Sequence, residues 1–122
     1  MVEQKVINLG RVKQDAEVPV EWKLTIPESD IVHMVVDCKC TADVKVEDGK
    51  IKALFKEDEA QQLNDEQKKK WYPEGYLPIS KGITVYLNDG KNLVTFDGNG
   101  NQQFNPEKKQ ERIQFIGEVE YA

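Results

Sequence analysis

Two stretches of this chain alternate between apolar and polar residues with a period of two. In the longer one, residues 31–47 (IVHMVVDCKCTADVKVE), the even positions Val32, Met34, Val36, Cys38, Cys40, Ala42, Val44 and Val46 are apolar, and the odd positions from Asp37 onward are polar. In the other, residues 18–26, Val18, Val20, Trp22, Leu24 and Ile26 alternate with Pro19, Glu21, Lys23 and Thr25. Successive side chains of a strand point to opposite faces, so this period predicts strands with one face buried and one wet. On that parity Trp22 is a core residue. Pro19 lacks the N–H that a ladder needs, which puts its strand at a sheet edge or at its own start.

As a single strand the longer run would span about 50 Å at roughly 3.3 Å per residue, far beyond the usual strand of about five or six residues. It must bend or break. The small residues Cys40 and Ala42 mark the place, and the two halves are then free to serve different sheets. Asp48-Gly49 is a hairpin signal, after which Ile51, Ala53 and Phe55 resume the period of two and make the neighbours antiparallel. Ahead of these, residues 6–12 predict a first strand in which Gly10 is a bulge or bend, and residues 13–17 are polar enough to turn.

The texture changes over residues 57–75, an insertion without β-branched residues. Its acidic side chains come early and its lysines late, the order that complements a helix dipole, and Ala60, Leu63, Gln67 and Trp71 lie on one thin stripe. A short helix over residues 58–70 is expected, ended by Pro73-Glu74-Gly75. Strand texture returns over residues 76–87, as a pair or as one strand bent around Ser80-Lys81-Gly82. Residues 93–96 (LVTF) come next, then a polar loop over 97–109. A last strand over 112–121 has its parity broken at Gly117. Seven or eight short strands at spacings of about 8–12 residues predict an all-β sandwich. Its expected core includes Trp22, Val36, Cys38, Cys40, Phe55, Val85 and Phe115.

The length of 122 residues fits a single domain able to bury a core without staples. Its 39% hydrophobic and 32% charged residues match a globular protein with a large solvated surface. The net charge of -5 argues against a general nucleic-acid binder, because neutralising phosphates takes a clustered excess of cations. Acidic neighbours precede the one basic run, Lys68-Lys69-Lys70. The N-terminus has neither a basic nor an apolar signal region, and no run nears the roughly 18 apolar residues of a membrane span. A soluble, unexported chain without a membrane partner is expected.

Candidate chemistry starts from the two cysteines and one histidine. A structural zinc site takes four Cys or His ligands, more than this chain has, and His33 has the parity opposite to Cys38 and Cys40. A disulfide would join strand residues about 6.6 Å apart, near the upper end of disulfide geometry. Two small buried hydrophobes are the simpler reading, and thiols on the apolar parity lack the exposure that redox work needs. Asp97-Gly98-Asn99-Gly100-Asn101 imitates the start of a calcium loop, but Gln102 and Lys108 stand where an EF-hand needs Gly and Glu. A flexible hairpin loop is expected there, with a weak surface cation site left open. No nucleophile–base spacing or phosphate loop supports an enzyme, and no cofactor is expected. Trp71, Tyr72 and Tyr76 form an aromatic cluster at the end of the insertion. Such residues anchor partners, or they pack an insertion onto its own sandwich.

Several blocks of the chain, taken together, are similar to a known family. Leu9-Gly10-Arg11-Val12, Cys38-Lys39-Cys40-Thr41, Ala53-Leu54-Phe55, Lys81-Gly82-Ile83-Thr84-Val85 and Gly117-Glu118-Val119 resemble the motifs of a bacterial and phage family of immunoglobulin-like domains of unknown function. That family looks related to the major-sperm-protein and Hydin-type sandwiches. Lys39 stands where the family has Gly, Pro27-Glu28-Ser29-Asp30 replaces an Asn-x-Gly turn, and residues 57–74 are an insertion. The resemblance implies an immunoglobulin-like antiparallel β-sandwich and carries no catalytic residues across.

The expected function is therefore a non-enzymatic structural or interaction module with a protein partner. Its most concrete form is a phage virion accessory such as a capsid decoration protein, docked through Trp71, Tyr72 and Tyr76; otherwise the chain is cytoplasmic. The alternative is a cellular binding module that pairs a sheet edge, the strand over residues 6–12, with a partner's strand.

Overall fold

The computed structural model describes residues 1–13, 15–56 and 64–120, with Lys68 described in its backbone alone. Among these residues nine strands, one 3-10 turn and one helix come in the order β1 (Val6–Lys13), β2 (Glu17–Lys23), the turn Glu28–Asp30, β3 (Ile31–Val36), β4 (Thr41–Glu47), β5 (Lys50–Lys56), α1 (Asp65–Trp71), β6 (Tyr76–Leu87), β7 (Val94–Phe96), β8 (Gln102–Phe104) and β9 (Gln110–Glu120). One sheet has the order β1-β9-β6-β3, the second β2-β5-β4, and β7-β8 form a separate hairpin. The protein is an all-β sandwich.

The alternation of β2 and β5 supplies one wall of the core. Val20 and Trp22 from β2, with Ile51, Ala53 and Phe55 from β5, are all buried. Ile83 and Val85 of β6 and Ile113, Phe115 and Val119 of β9 supply the other. Phe115 is the centre: its ring lies 5.1 Å from that of Phe55 and 6.2 Å from that of Trp22, tilted in both cases, as aromatic quadrupoles prefer. The indole Nε1 of Trp22 donates to the carbonyl of Gln114 at 3.3 Å, so its one polar atom ties the sheets together.

The long alternating run does divide, and its halves join different sheets: β3 pairs with β6 and β4 with β5, both antiparallel. The break falls at residues 37–40, slightly ahead of the expected place. There the Asp37 N–H donates to the Gly82 carbonyl at 3.0 Å, and the Thr41 N–H to the Cys38 carbonyl at 3.1 Å. Strand parity therefore stops applying before the cysteines. Cys40 is buried at 4% exposure, whereas Val36 and Cys38 are partly buried and pack against the core from its margin. The cysteines are not free thiols. The turn brings their Cα atoms to 5.2 Å, and they form a disulfide. The wider spacing of strand residues does not apply within a turn.

Several local expectations hold. Asp48 and Gly49 make the β4–β5 turn with φ of 55° and 73°. Gly10 sits at φ +68° where the β1–β9 register shifts between Asn8 and Arg11, its N–H held by the Asn8 Oδ1 at 2.8 Å. A Cβ on Gly117 would come within 2.9 Å of the Gly10 carbonyl oxygen, so the two glycines allow one close backbone approach. Residues 76–87 make one continuous strand.

Other expectations do not hold. The β1–β9 pair is parallel, because the first and last strands need no tight turn between them and the whole intervening chain serves as the crossover. The polar loop over 97–109 contains β8. Of the expected helix, residues 58–63 lie outside the described residues. Asn64 caps α1, its Oδ1 accepting the Gln67 N–H at 2.8 Å while Gln67 Oε1 accepts the Asn64 N–H at 3.1 Å. This reciprocal pair is a capping box.

Candidate protein-binding surface

The hairpin β7-β8 is short and pairs with neither main sheet, so its position depends on side chains at its base. Lys108 provides the anchor. Only 3% of its side chain is exposed, and its Nζ donates to Asp89 Oδ1 at 2.9 Å and to the Lys91 carbonyl at 2.7 Å. The other Asp89 oxygen accepts the Lys109 N–H at 2.9 Å, and Oδ1 also takes the Lys91 N–H at 3.1 Å. One carboxylate thus gathers both ends of the segment, and the Lys108 hydrogen bond, aided by the backbone donors, holds Asp89 well below the ordinary carboxylate range. Asn105 continues the seam, its Nδ2 donating to the Asn92 carbonyl at 2.9 Å and its N–H to the Leu93 carbonyl at 2.8 Å.

At the far end Asp97 organises the tip. Its Oδ1 accepts the N–H of Asn99 at 2.8 Å and of Asn101 at 2.9 Å. These donors, Asn101 first, lower its pKa. The segment that imitated a calcium loop is a hydrogen-bonded hairpin turn. Among the described residues no group of three or more His, Cys, Asp or Glu side chains is placed to hold a metal ion.

The pairing of the hairpin sets what it displays. Val94 stands opposite Phe104 and Phe96 opposite Gln102, so Val94, Phe96 and Phe104 share one face. All three are exposed, at 39%, 68% and 43%. Phe104 also joins the hairpin to the sandwich. Its ring stacks on Tyr86 of β6 at 5.0 Å and lies 5.7 Å from His33 of β3. Tyr86 comes directly after the core residue Val85 and so faces outward from the sheet, where Phe104 covers it. His33, on the parity opposite to the cysteines, is exposed and completes this aromatic seam.

The aromatic residues expected to bind a partner are divided. Trp71 is 53% exposed at the end of α1. Tyr72 packs against the core, and Tyr76 lies under Arg11, whose guanidinium carbon sits 3.8 Å from the ring centroid. Of the three, Trp71 alone presents a largely uncovered ring. The hairpin face was not predicted, although the alternation of Val94 and Phe96 hinted at it; Phe104 stands in a polar run with no period around it.

The sheet edges differ in how they are guarded. Pro19 lies within β2, whose end is further covered by the bridge between Val2 and Leu24. Gly10 interrupts β1. In β4, Asp43 has φ +52° and the register shifts between Ala42 and Lys45. Such bulges and prolines keep edges from pairing with other chains. In β3 the register runs without a shift from His33 to Val36, with no Pro, Gly or Lys in it. No strand among the described residues pairs with its outer edge. Where β3 ends, Arg112 donates to both Asp37 oxygens, through Nη1 at 2.8 Å and through Nη2, and holds Asp37 below its usual pKa.

No family model, curated protein or solved structure matches the chain.

Proposed function

We propose that this protein is a non-enzymatic interaction module whose partner is a protein, bound at the hairpin face formed by Val94, Phe96 and Phe104. The exposed apolar face on a hairpin tied down at both ends is the observation that carries this reading. Side chains of this kind anchor interfaces when they are held in place before the partner arrives, because little side-chain and loop order is then lost on binding. The resemblance of the strand motifs to phage and bacterial immunoglobulin-like domains suggests a particular form, a virion surface accessory such as a capsid decoration protein.

A partner isolated with the native chain tests both surfaces. Phe96→Ser combined with Val94→Ser is expected to abolish its binding, and Trp71→Ala to leave it unchanged. If the Trp71 variant loses the partner and the hairpin variant keeps it, the insertion is the interface and the reading fails. Copurification with assembled particles tests the virion form.

A second reading is favoured by the open edge of β3, along which an extended segment could add a strand. In place of the 6–12 edge expected from the sequence, which Gly10 interrupts, this reading uses residues 33–36. Val32→Lys places a charge beside that edge and is expected to block strand addition while leaving hairpin docking intact.

A further inference from the structure

The connector between the two sheets carries a disulfide. Residues 37–40 lead the chain out of β3 and into β4, and within them Cys38 and Cys40 are joined with Lys39 alone between. A crosslink stabilises largely by removing loop entropy from the unfolded chain, and that contribution shrinks with the loop it closes. Here the loop is close to the shortest a chain can form.

The native turn is also held without the sulfurs. The Thr41 N–H donates to the Cys38 carbonyl, the Lys56 N–H to the Cys40 carbonyl at 2.7 Å, and the Asp37 N–H to the Gly82 carbonyl. On either side β3 is laddered to β6 and β4 to β5. These bonds do not depend on the disulfide, so the sandwich is expected to stay folded when it opens. The two sulfurs are unequal in access. Cys40 is buried at 4% exposure and Cys38 is partly exposed. Lys39, the one residue between them in the chain, is exposed.

We propose that Cys38–Cys40 is a reversible thiol–disulfide exchange site, entered by small-molecule thiols at the Sγ of Cys38. In the first step the thiolate of the small thiol forms a bond to Cys38 Sγ. The Cys38–Cys40 bond breaks, and Cys40 leaves as a thiolate that takes a proton from solvent. A second small thiolate then attacks the small-molecule sulfur of this mixed disulfide, releasing Cys38 as a thiolate and a small-molecule disulfide. Two electrons pass from two small thiols to the protein, and the reverse sequence with a small-molecule disulfide closes the bond. Attack is directed to Cys38 because access decides which sulfur of a disulfide is reached.

The test uses the full chain purified without reductant and treated with reduced glutathione in the absence of denaturant. Free thiols are then trapped by alkylation, and intact mass counts them. The expected result is two alkylated cysteines, or one glutathione on Cys38, with tryptophan fluorescence and melting behaviour still those of a folded protein. Oxidised glutathione should restore the bond. In single variants, Cys38 of Cys40→Ser should label at least roughly tenfold faster than Cys40 of Cys38→Ser, since access limits the rate at the buried position. Three results would each overturn the proposal: a bond that opens only in denaturant, thiols that stay reduced in oxidised glutathione, or Cys40 labelling as fast as Cys38. The wild-type titration decides by itself if a variant fails to fold.

Discussion

Phenylalanine occurs four times in this chain, and the same truncation has opposite expected outcomes at two of the four sites. Phe115 has no exposed surface and lies against Phe55 and Trp22 at the junction of the two sheets. Phe115→Ala removes a ring from a packed interior and leaves a cavity that the β1–β9 and β6–β9 ladders on either side cannot close. Truncations of this kind cost about 3–5 kcal/mol, a large fraction of a total stability of about 5–15 kcal/mol. For a chain of this size the melting temperature should fall by roughly 10–20 °C. Phe96, at 68% exposure, has nothing comparable to lose, and Phe96→Ala should stay within about 0.5 kcal/mol of the parent. Phe104 should fall between, because its stacking on Tyr86 adds about 0.5–1.5 kcal/mol. Urea unfolding monitored by tryptophan fluorescence reads all three, since buried Trp22 reports the core directly. A loss below about 1 kcal/mol for Phe115→Ala, or equal losses at positions 96 and 115, would refute the assignment of core and display surface.

Gly117→Ala should destabilise by about 1–3 kcal/mol, because its Cβ meets the rigid carbonyl of Gly10 at 2.9 Å; an unchanged urea midpoint would count against that close approach. Gly82→Ala should cost no more than about 1 kcal/mol, because the new Cβ meets the flexible, exposed Arg112 guanidinium and displaces it from Asp37; NMR titration of Asp37 should then move toward the ordinary aspartate value. Asp37, Asp89 and Asp97 are all held below their usual pKa in the folded state, by Arg112, by Lys108 and by the Asn101 N–H respectively. A depressed folded pKa contributes stability above the unfolded value of about 3.9 and loses it as pH falls through the folded value. The urea midpoint should therefore hold steady from neutral pH to about 5 and decline below about 4, with a smaller decline in Asp89→Asn; a midpoint unchanged down to about pH 2 would contradict these pairings.

Much of the sandwich was legible in local pattern. The period of two placed Trp22, Phe55, Val85 and Phe115 in the core, Asp48-Gly49 marked its turn, and the excess length of residues 31–47 required the break that sends β3 and β4 to different sheets. Elsewhere local pattern falls short. Strand parity does not extend through residues 37–40, where the chain turns, so strand spacing is wrong for Cys38 and Cys40 and conceals their bond. The burial of Lys108 has no local signal, since nothing in its neighbourhood reveals that Asp89 lies 2.9 Å from its ammonium. The strands β7 and β8 span three residues each, too few for a period to declare itself.

Taken alone, the sequence determined that this chain is all-β, which side chains of its longer strands turn inward, and where several tight turns fall. These are properties of neighbouring residues, and alternation or turn chemistry encodes them locally. The tertiary structure alone decided that β1 runs parallel to β9, that β3 is the edge left open, and that Val94, Phe96 and Phe104 share an exposed face bound to the sandwich through Tyr86 and His33. Those features depend on which distant segments meet. A residue's own neighbours in the chain carry no record of that, because backbone hydrogen bonds and ring contacts across sheets form between groups separated by tens of positions.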